Sequence, residues 1–284
     1  MSIQQSDNQD TDAVQAMQDW WSTDIIEMSP GSIRYRGYAI QDLIGRVSFP
    51  QMIWLMVRGE LPDAGQARLL EAALVAGVDH GPQAPSIAIA RMAATCGVGL
   101  NNAMASGLNV LGDVHGGAGE QAVEIYQQVH ARVTNSMEMQ QACEEVLAAF
   151  WSTGKKYVPG FGHRFHPLDP RAPRLLELVD EAREKGIVQG LYADIARCIE
   201  AVIRQQKGRQ VPMNIDGATA VIYAELGFAP ALARGLFCLS RSVGILAHSW
   251  EQMQEPTRNK GPIPRQYIWR YTGTPARSLE GEDA

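Results

Sequence analysis

The chain has 284 residues, 45% of them hydrophobic and 20% charged, with a formal net charge of −6. That length and apolar share allow one large domain, or a large and a small one, around a sizeable core. The acidic balance and the lack of a dense Lys/Arg run count against a nucleic-acid surface, and four scattered cysteines (Cys96, Cys143, Cys198, Cys238) with no C-x-x-C pair count against a zinc knuckle or a redox dithiol.

In chain order, the polar, acidic residues 1 to about 15 read as a solvated tail, neither a signal peptide nor a transit peptide. Ser32-Ile33-Arg34-Tyr35-Arg36 is the best candidate for a short hairpin arm. From there helical spacing dominates. Ile53, Leu55 and Met56, then Leu69, Leu70, Ala73 and Leu74, fall three to four apart. So do Leu175, Leu176, Leu178 and Val179, and later Leu191, Ile195, Ile199, Val202 and Ile203. Gly and Pro punctuate these runs at Gly59-Glu60-Leu61-Pro62, Gly81-Pro82, Pro159-Gly160, Pro230 and Gly261-Pro262. Residues 80–117 and 214–250 carry few charges and read as helices apolar nearly all round; 120–210 read as amphipathic helices of a more exposed domain. The expectation is an all-α fold: a large domain from 1–117 and 221–284, and a small inserted domain at 118–220. No uninterrupted apolar run reads as a membrane span. Three of the four cysteines lie in apolar helical stretches and read as buried, reduced thiols of a cytoplasmic protein.

Polar, titratable groups recur inside Gly-rich, apolar surroundings. They are Asp79-His80-Gly81, Asp113-Val114-His115-Gly116-Gly117, Pro159-Gly160-Phe161-Gly162-His163 closing on Asp169-Pro170-Arg171, Asn214-Ile215-Asp216-Gly217, and Ser240-Arg241. Each has an ordinary reading. A lone His between glycines can be a hydrogen-bonded turn residue, Asp216 can cap a helix starting at Gly217, Arg241 can be a buried ion-pair partner, and His248 a structural hydrogen-bonding residue. His163 and His166 stand three apart, but no further ligand follows at useful spacing, so no metal is expected.

Taken in order, these segments resemble the citrate synthase family. Arg34-Tyr35-Arg36-Gly37-Tyr38-Ala39-Ile40-Gln41-Asp42-Leu43 is similar to its Y-R-G-Y-x-I-x-D-L signature, and Gly59-Glu60-Leu61-Pro62 follows as in the family. His115-Gly116-Gly117-Ala118 resembles H-G-G-A; Pro159 to His163 with Asp169-Pro170-Arg171 resembles P-G-F-G-H…D-P-R. Asn214-Ile215-Asp216 matches N-x-D, Ser240-Arg241 the late S-R, and Pro264-Arg265-Gln266 the final R-P-R-Q. The likeness runs over about residues 31–273.

The resemblance implies an all-α, citrate synthase-like fold, a homodimer, and coenzyme A as thioester substrate or product with no permanently bound cofactor. It implies Asp216 as the base that takes a proton from the methyl carbon of acetyl-CoA. His115 would hydrogen-bond the thioester oxygen, and His163 would protonate the ketone of oxaloacetate. Arg171 and Arg241 would hold the acid's carboxylates, with His80 a further contact and Arg265 beside them; Gly160, Phe161, Gly162 and Arg164 would meet the CoA ester. The chemistry agrees. A carbon acid beside a thioester is far weaker than an aspartate of pKa about 3.9, so the charge must be met by preorganised donors at the oxygen. A helix N-terminus after His115 would keep its imidazole neutral. Arginine forks fit carboxylates in bidentate fashion.

Three departures stand out. The chain is short for the family. His163 to Arg171 is one position closer than usual, with Arg164 nearby to compensate. Ile263 stands where the final motif has its first arginine, leaving Arg258, Lys260 or Arg265 to substitute. Asp79-His80-Gly81-Pro82, the compact run from Leu100 to Gly112, and Gly162-His163-Arg164 resemble the citryl-CoA lyases and the lyase module of ATP-citrate lyase. The resemblance therefore implies cleavage of a citryl-type thioester first. A citrate or 2-methylcitrate synthase comes second, and a non-catalytic CoA-binding partner subunit third.

Overall fold

The computed structural model describes residues 4–163, 167–264 and 266–278. Among these are twelve helices and one small antiparallel sheet, in keeping with the all-α expectation. The stretch expected as a tail is instead helical, α1 (Gln4–Trp20). It is polar, but it holds no Gly or Pro, so nothing in its backbone chemistry interrupts a helix. The expected hairpin arm is β2 (Ser32–Tyr35), between β1 (Ile26–Ser29) and β3 (Tyr38–Ala39).

The helices then run α2 (Ile40–Leu43), α3 (Phe49–Arg58), α4 (Ala64–Ala76), α5 (Pro85–Ala94) and α6 (Leu100–Leu108). They continue with α7 (Ala118–Thr134), α8 (Met139–Ser152), α9 (Arg171–Glu184), α10 (Leu191–Lys207), α11 (Ile215–Glu225) and α12 (Pro230–Gln254). Local chemistry fixes several ends. Ser48 and Gln51 close a capping box at the start of α3, and Gly59, left-handed at φ 87°, ends that helix just before Leu61-Pro62.

Packing gathers the chain into two compact units, Met1–Ala76 with Ala118–Leu236, and Gly77–Gly117 with Phe237–Ala284. The division drawn from polarity also cuts after Gly117, but it groups residues 1–76 and 221–236 differently. Polarity does not report which cluster a helix joins: α4 buries Leu69, Leu70 and Ala73 and packs on α9 and α11. The first unit's core is built round α11, where Ile215 and every residue from Gly217 to Ala224 are buried. Tyr126 of α7, Leu147 of α8 and Ile195, Ile199 and Ile203 of α10 belong to the same cluster and are almost wholly excluded from solvent. Each such side chain stabilises the fold by about 1.5–3 kcal/mol through removal of apolar surface from water. The second unit has a small core of Ala84, Ile87 and Ala90 on α5 with Ile245 on α12.

Two expectations change here. Of the cysteines only Cys143 is buried; Cys198 and Cys238 are half-buried, on helices that turn one side outward, and Cys96 is exposed in the turn after α5. And α12, at 25 residues, is long and apolar enough to cross a membrane by length and composition alone. Both of its arginines are met by the protein. Arg234 pairs with Glu120, and Arg241, 5% exposed, donates through Nε to the carbonyl of Gly77 at 3.2 Å.

Candidate active-site residues

His115 lies in the second unit, at the end of a tight turn closed by a bridge between Gly112 and Gly116. It is half-buried. Its Nε2 sits 3.1 Å from the backbone nitrogen of Ser86 and 3.1 Å from Ser86 Oγ. Pro85 occupies the first helical position of α5, so the Ser86 N–H is one of the donors that a helix start leaves unpaired. An amide N–H can only donate, so Nε2 accepts and the proton of the neutral ring is on Nδ1. Burial holds the imidazole pKa below its ordinary value, and the Arg241 cation adds to the effect. The geometry and the direction of the shift both favour a neutral ring with its hydrogen on Nδ1. The helix start that contacts it is that of α5, some thirty positions upstream.

Arg241, also in this unit, is buried, with its guanidinium 4.8 Å over the Phe237 ring. His80 is exposed, in the segment that joins Gly77 to Gly81. Ile263 is exposed as well. Lys260 is tied to its surroundings: its backbone N–H donates to Thr95 Oγ1 at 2.9 Å and its Nζ to Gln252 Oε1 at 3.2 Å. Arg164 and Arg265 lie outside the described residues.

The first unit carries Asp216 and His163. Asn214, not Asp216, caps α11: its Oδ1 accepts from the N–H groups of Asp216 at 3.0 Å and Gly217 at 3.2 Å. Asp216 thereby falls in the first turn of the helix, where the backbone dipole favours a carboxylate. It is half-buried, and its charge adds to the burial that pushes the Tyr223 phenol pKa upward.

The Gly160–His163 segment is bonded to the residues leading into α11. Gly162 N–H donates to Pro212 O at 2.7 Å, Asn214 N–H to Gly160 O at 2.9 Å, and Asn214 Nδ2 to Gly162 O at 2.6 Å. Phe161 is buried and bridges Met213. A Cβ on Gly160 would lie 2.7 Å from Gly217 Cα, and one on Gly217 would run into Gly160's carbonyl. The two glycines let the loop rest directly on the helix start. Asn214 thus holds both the segment ending in His163 and the turn carrying Asp216.

Arg171 is committed within the protein. Its Nε and Nη2 grip the two oxygens of Asp169 at 2.9 and 2.8 Å. Asp169, whose side chain is fully buried, also accepts the N–H of Ile215 at 3.0 Å, and so joins the start of α9 to the start of α11. Burial would raise the Asp169 carboxyl pKa, but Arg171 and the two backbone donors outweigh it and hold it below the usual carboxylate value. Sequence reading gave no role to Ser86, Asn214 or Asp169. Pro85 marked the helix start that Ser86 uses, while Asn214 and Asp169 were quoted only as letters of motifs.

The family model "Citrate synthase, C-terminal domain" matches residues 16–68 and 62–272. A solved citryl-CoA lyase from Hydrogenobacter thermophilus is 35% identical with a TM-score of 0.79, over 91% of this chain and 97% of that one. An ATP citrate lyase from Methanothrix soehngenii, solved with citrate and coenzyme A, is 22% identical with a TM-score of 0.74, over 89% of this chain and 42% of that one, and shows the fold alone. A citrate synthase from Haloferax volcanii is 30% identical over 220 residues, 77% of this chain and 53% of that enzyme. The chain spans a third to about half the length of the curated relatives it matches first, 33% and 53% of two of them. Ordered motifs, helical architecture and matches over most of its length agree, and the chain belongs to the citrate synthase family.

Proposed function

We propose that this protein cleaves a citryl-CoA-type thioester to acetyl-CoA and an oxo acid. The observation that carries the reading is one of extent. The likeness to a citryl-CoA lyase spans 97% of that chain, whereas this chain covers 53% of a citrate synthase of comparable identity.

In the proposed reaction His163 takes the proton of the tertiary alcohol as the ketone forms. The carbon–carbon bond breaks, and its electron pair passes to the thioester, whose oxygen becomes an enolate. His115 meets that oxygen with its Nδ1–H, fixed in this tautomer by Ser86. Asp216, protonated at the outset, delivers its proton to the carbon and leaves a methyl group. Exchange with solvent returns the proton from His163 to Asp216. Arg241 and His80 hold the acid's carboxylates. Arg171 contributes through Asp169, since its fork is already engaged there. Gly160, Phe161, Gly162 and Arg164 are assigned to the CoA ester. The working form is taken as a homodimer.

The second reading, condensation by a citrate or 2-methylcitrate synthase, has the 30% identity to the Haloferax enzyme in its favour. A paired assay separates them. Citryl-CoA is supplied in one arm and oxaloacetate release is followed; acetyl-CoA with oxaloacetate is supplied in the other and free CoA is followed. Release in the first arm with little free CoA in the second is the expected result. Free CoA in the second arm replaces the lyase by a synthase. Silence in both, with CoA bound, fits a non-catalytic partner subunit.

A further inference from the structure

Segment Gly77–Gly81 is seated on one face of α12 by three successive contacts. Arg241, Gly244 and His248 stand at i, i+3 and i+7 and so share that face. Gly77 O accepts from Arg241 Nε at 3.2 Å, Val78 O accepts from Gly244 N–H at 3.1 Å, and Asp79 Oδ1 lies 3.2 Å from His248 Nε2. The last contact is off the line of an ideal hydrogen bond. A Cβ on residue 244 would run into the Val78 carbonyl, so only glycine admits this seating.

His248 also reaches α5. Its Nδ1 is 3.1 Å from Nη1 of Arg91. A guanidinium can only donate, so Nδ1 accepts and Nε2 carries the hydrogen toward Asp79. Arg91 is itself anchored, through Nε to Gln252 Oε1 at 3.0 Å and by ion pairs to Glu251 and Glu255. Asp79 is pinned from the other side, since its Oδ2 accepts Gly81 N–H at 3.0 Å. His80 therefore sits between two fixed neighbours, and the plane of the Arg241 guanidinium is set by the carbonyl of Gly77.

We infer that His248, as a neutral bridge between Arg91 and Asp79, is a positioning residue for the acid-binding pair His80 and Arg241. This rests on the acid-binding role given to those two residues above. It makes His248 a determinant of carboxylic-acid affinity that leaves CoA-ester affinity alone.

The test is calorimetric titration of the purified full chain with oxaloacetate, citrate and acetyl-CoA as separate probes. His248→Leu removes both contacts and is expected to weaken acid binding about 10-fold, the effect of losing one part-buried polar partner, with acetyl-CoA unchanged. His248→Gln keeps a donor and an acceptor and is expected to restore most of the acid affinity. Asp79→Asn combined with His248→Leu is expected to be no worse than the poorer single variant, since both break one contact. Equal weakening of acid and acetyl-CoA, unchanged acid binding in His248→Leu, or a glutamine variant as poor as leucine overturns the inference. A wild-type chain that binds acetyl-CoA but neither acid removes the acid-binding reading first, and this inference with it.

Discussion

In the proposed reaction His115 donates through Nδ1, and its contact with the Ser86 N–H requires Nε2 to stay unprotonated. The backbone N–H of Ser86 fixes the tautomer, and burial with Arg241 disfavours the cation. Its folded pKa lies below the unfolded value of about 6.5, so the unfolded chain takes up the extra proton first. The stability linked to this group is complete above that pH and is lost as pH falls toward the folded pKa. Turnover that depends on neutral His115 should accordingly show no loss from this group between pH 8 and about 6.5. An acid limb centred near 6.5 that disappears in His115→Asn would contradict this. His115→Ala should lower kcat by about 10²–10³, the scale of losing one oxyanion donor. Ser86→Ala keeps the backbone donor and should cost less than about 10-fold. His115 stood out in the sequence by its Gly-rich setting and its motif. What sets its tautomer did not, because Ser86 is 29 residues away and only packing reveals the pairing.

At the scale of elements, the start of α11 organises the first unit's candidate residues, Asp216 and His163. Pro-Met-Asn-Ile-Asp-Gly offers two capping side chains two positions apart, and a helix start two residues later was equally consistent with it. The structure chooses Asn214 because its amide can serve both sides, Oδ1 to the helix and Nδ2 to Gly162 O. Asn214→Ala should cost about 2 kcal/mol, a cap plus one further hydrogen bond, read as a shift in the denaturant midpoint. It should lower turnover with little change in the affinity for free acid. Asp169→Asn tests the other joint. It leaves one of the two Arg171 bonds without an acceptor and should destabilise by about 1–3 kcal/mol, since the Arg171 side chain stays partly in solvent. Because the Asp169 pKa is depressed, the stability it contributes is present above about pH 4 and is lost as pH falls through the folded value. The wild-type melting temperature should therefore fall steeply only in acid, and the Asp169→Asn protein should show a shallower fall. Equal slopes in the two proteins would remove Asp169 from this account.

For the molecule as a whole, α12 raises the question of assembly. Its buried residues include Leu236, Ser240, Arg241, Ile245, Ser249 and Gln252. Its other side carries Leu239, Val243, Leu246, Trp250 and Met253, spaced four and three apart and between 37% and 58% exposed. In the sequence both sets read as one helix apolar nearly all round, and hydrophobicity cannot say whether a stripe meets its own core or another chain. Only the resemblance implied a homodimer; among the described residues the fold shows which stripe is exposed. A continuous row of this kind is what a second helix with the same spacing would cover. On the proposed homodimer, light scattering should return twice the chain mass for the wild type, and Leu246→Glu with Trp250→Glu should return one. Val75→Glu, at an exposed position of α4, is the control charge on another helix and should leave the mass unchanged. A wild-type chain that is monomeric at micromolar concentration would exclude the homodimer. A dimer that survives both charges on α12 would move the interface to another face.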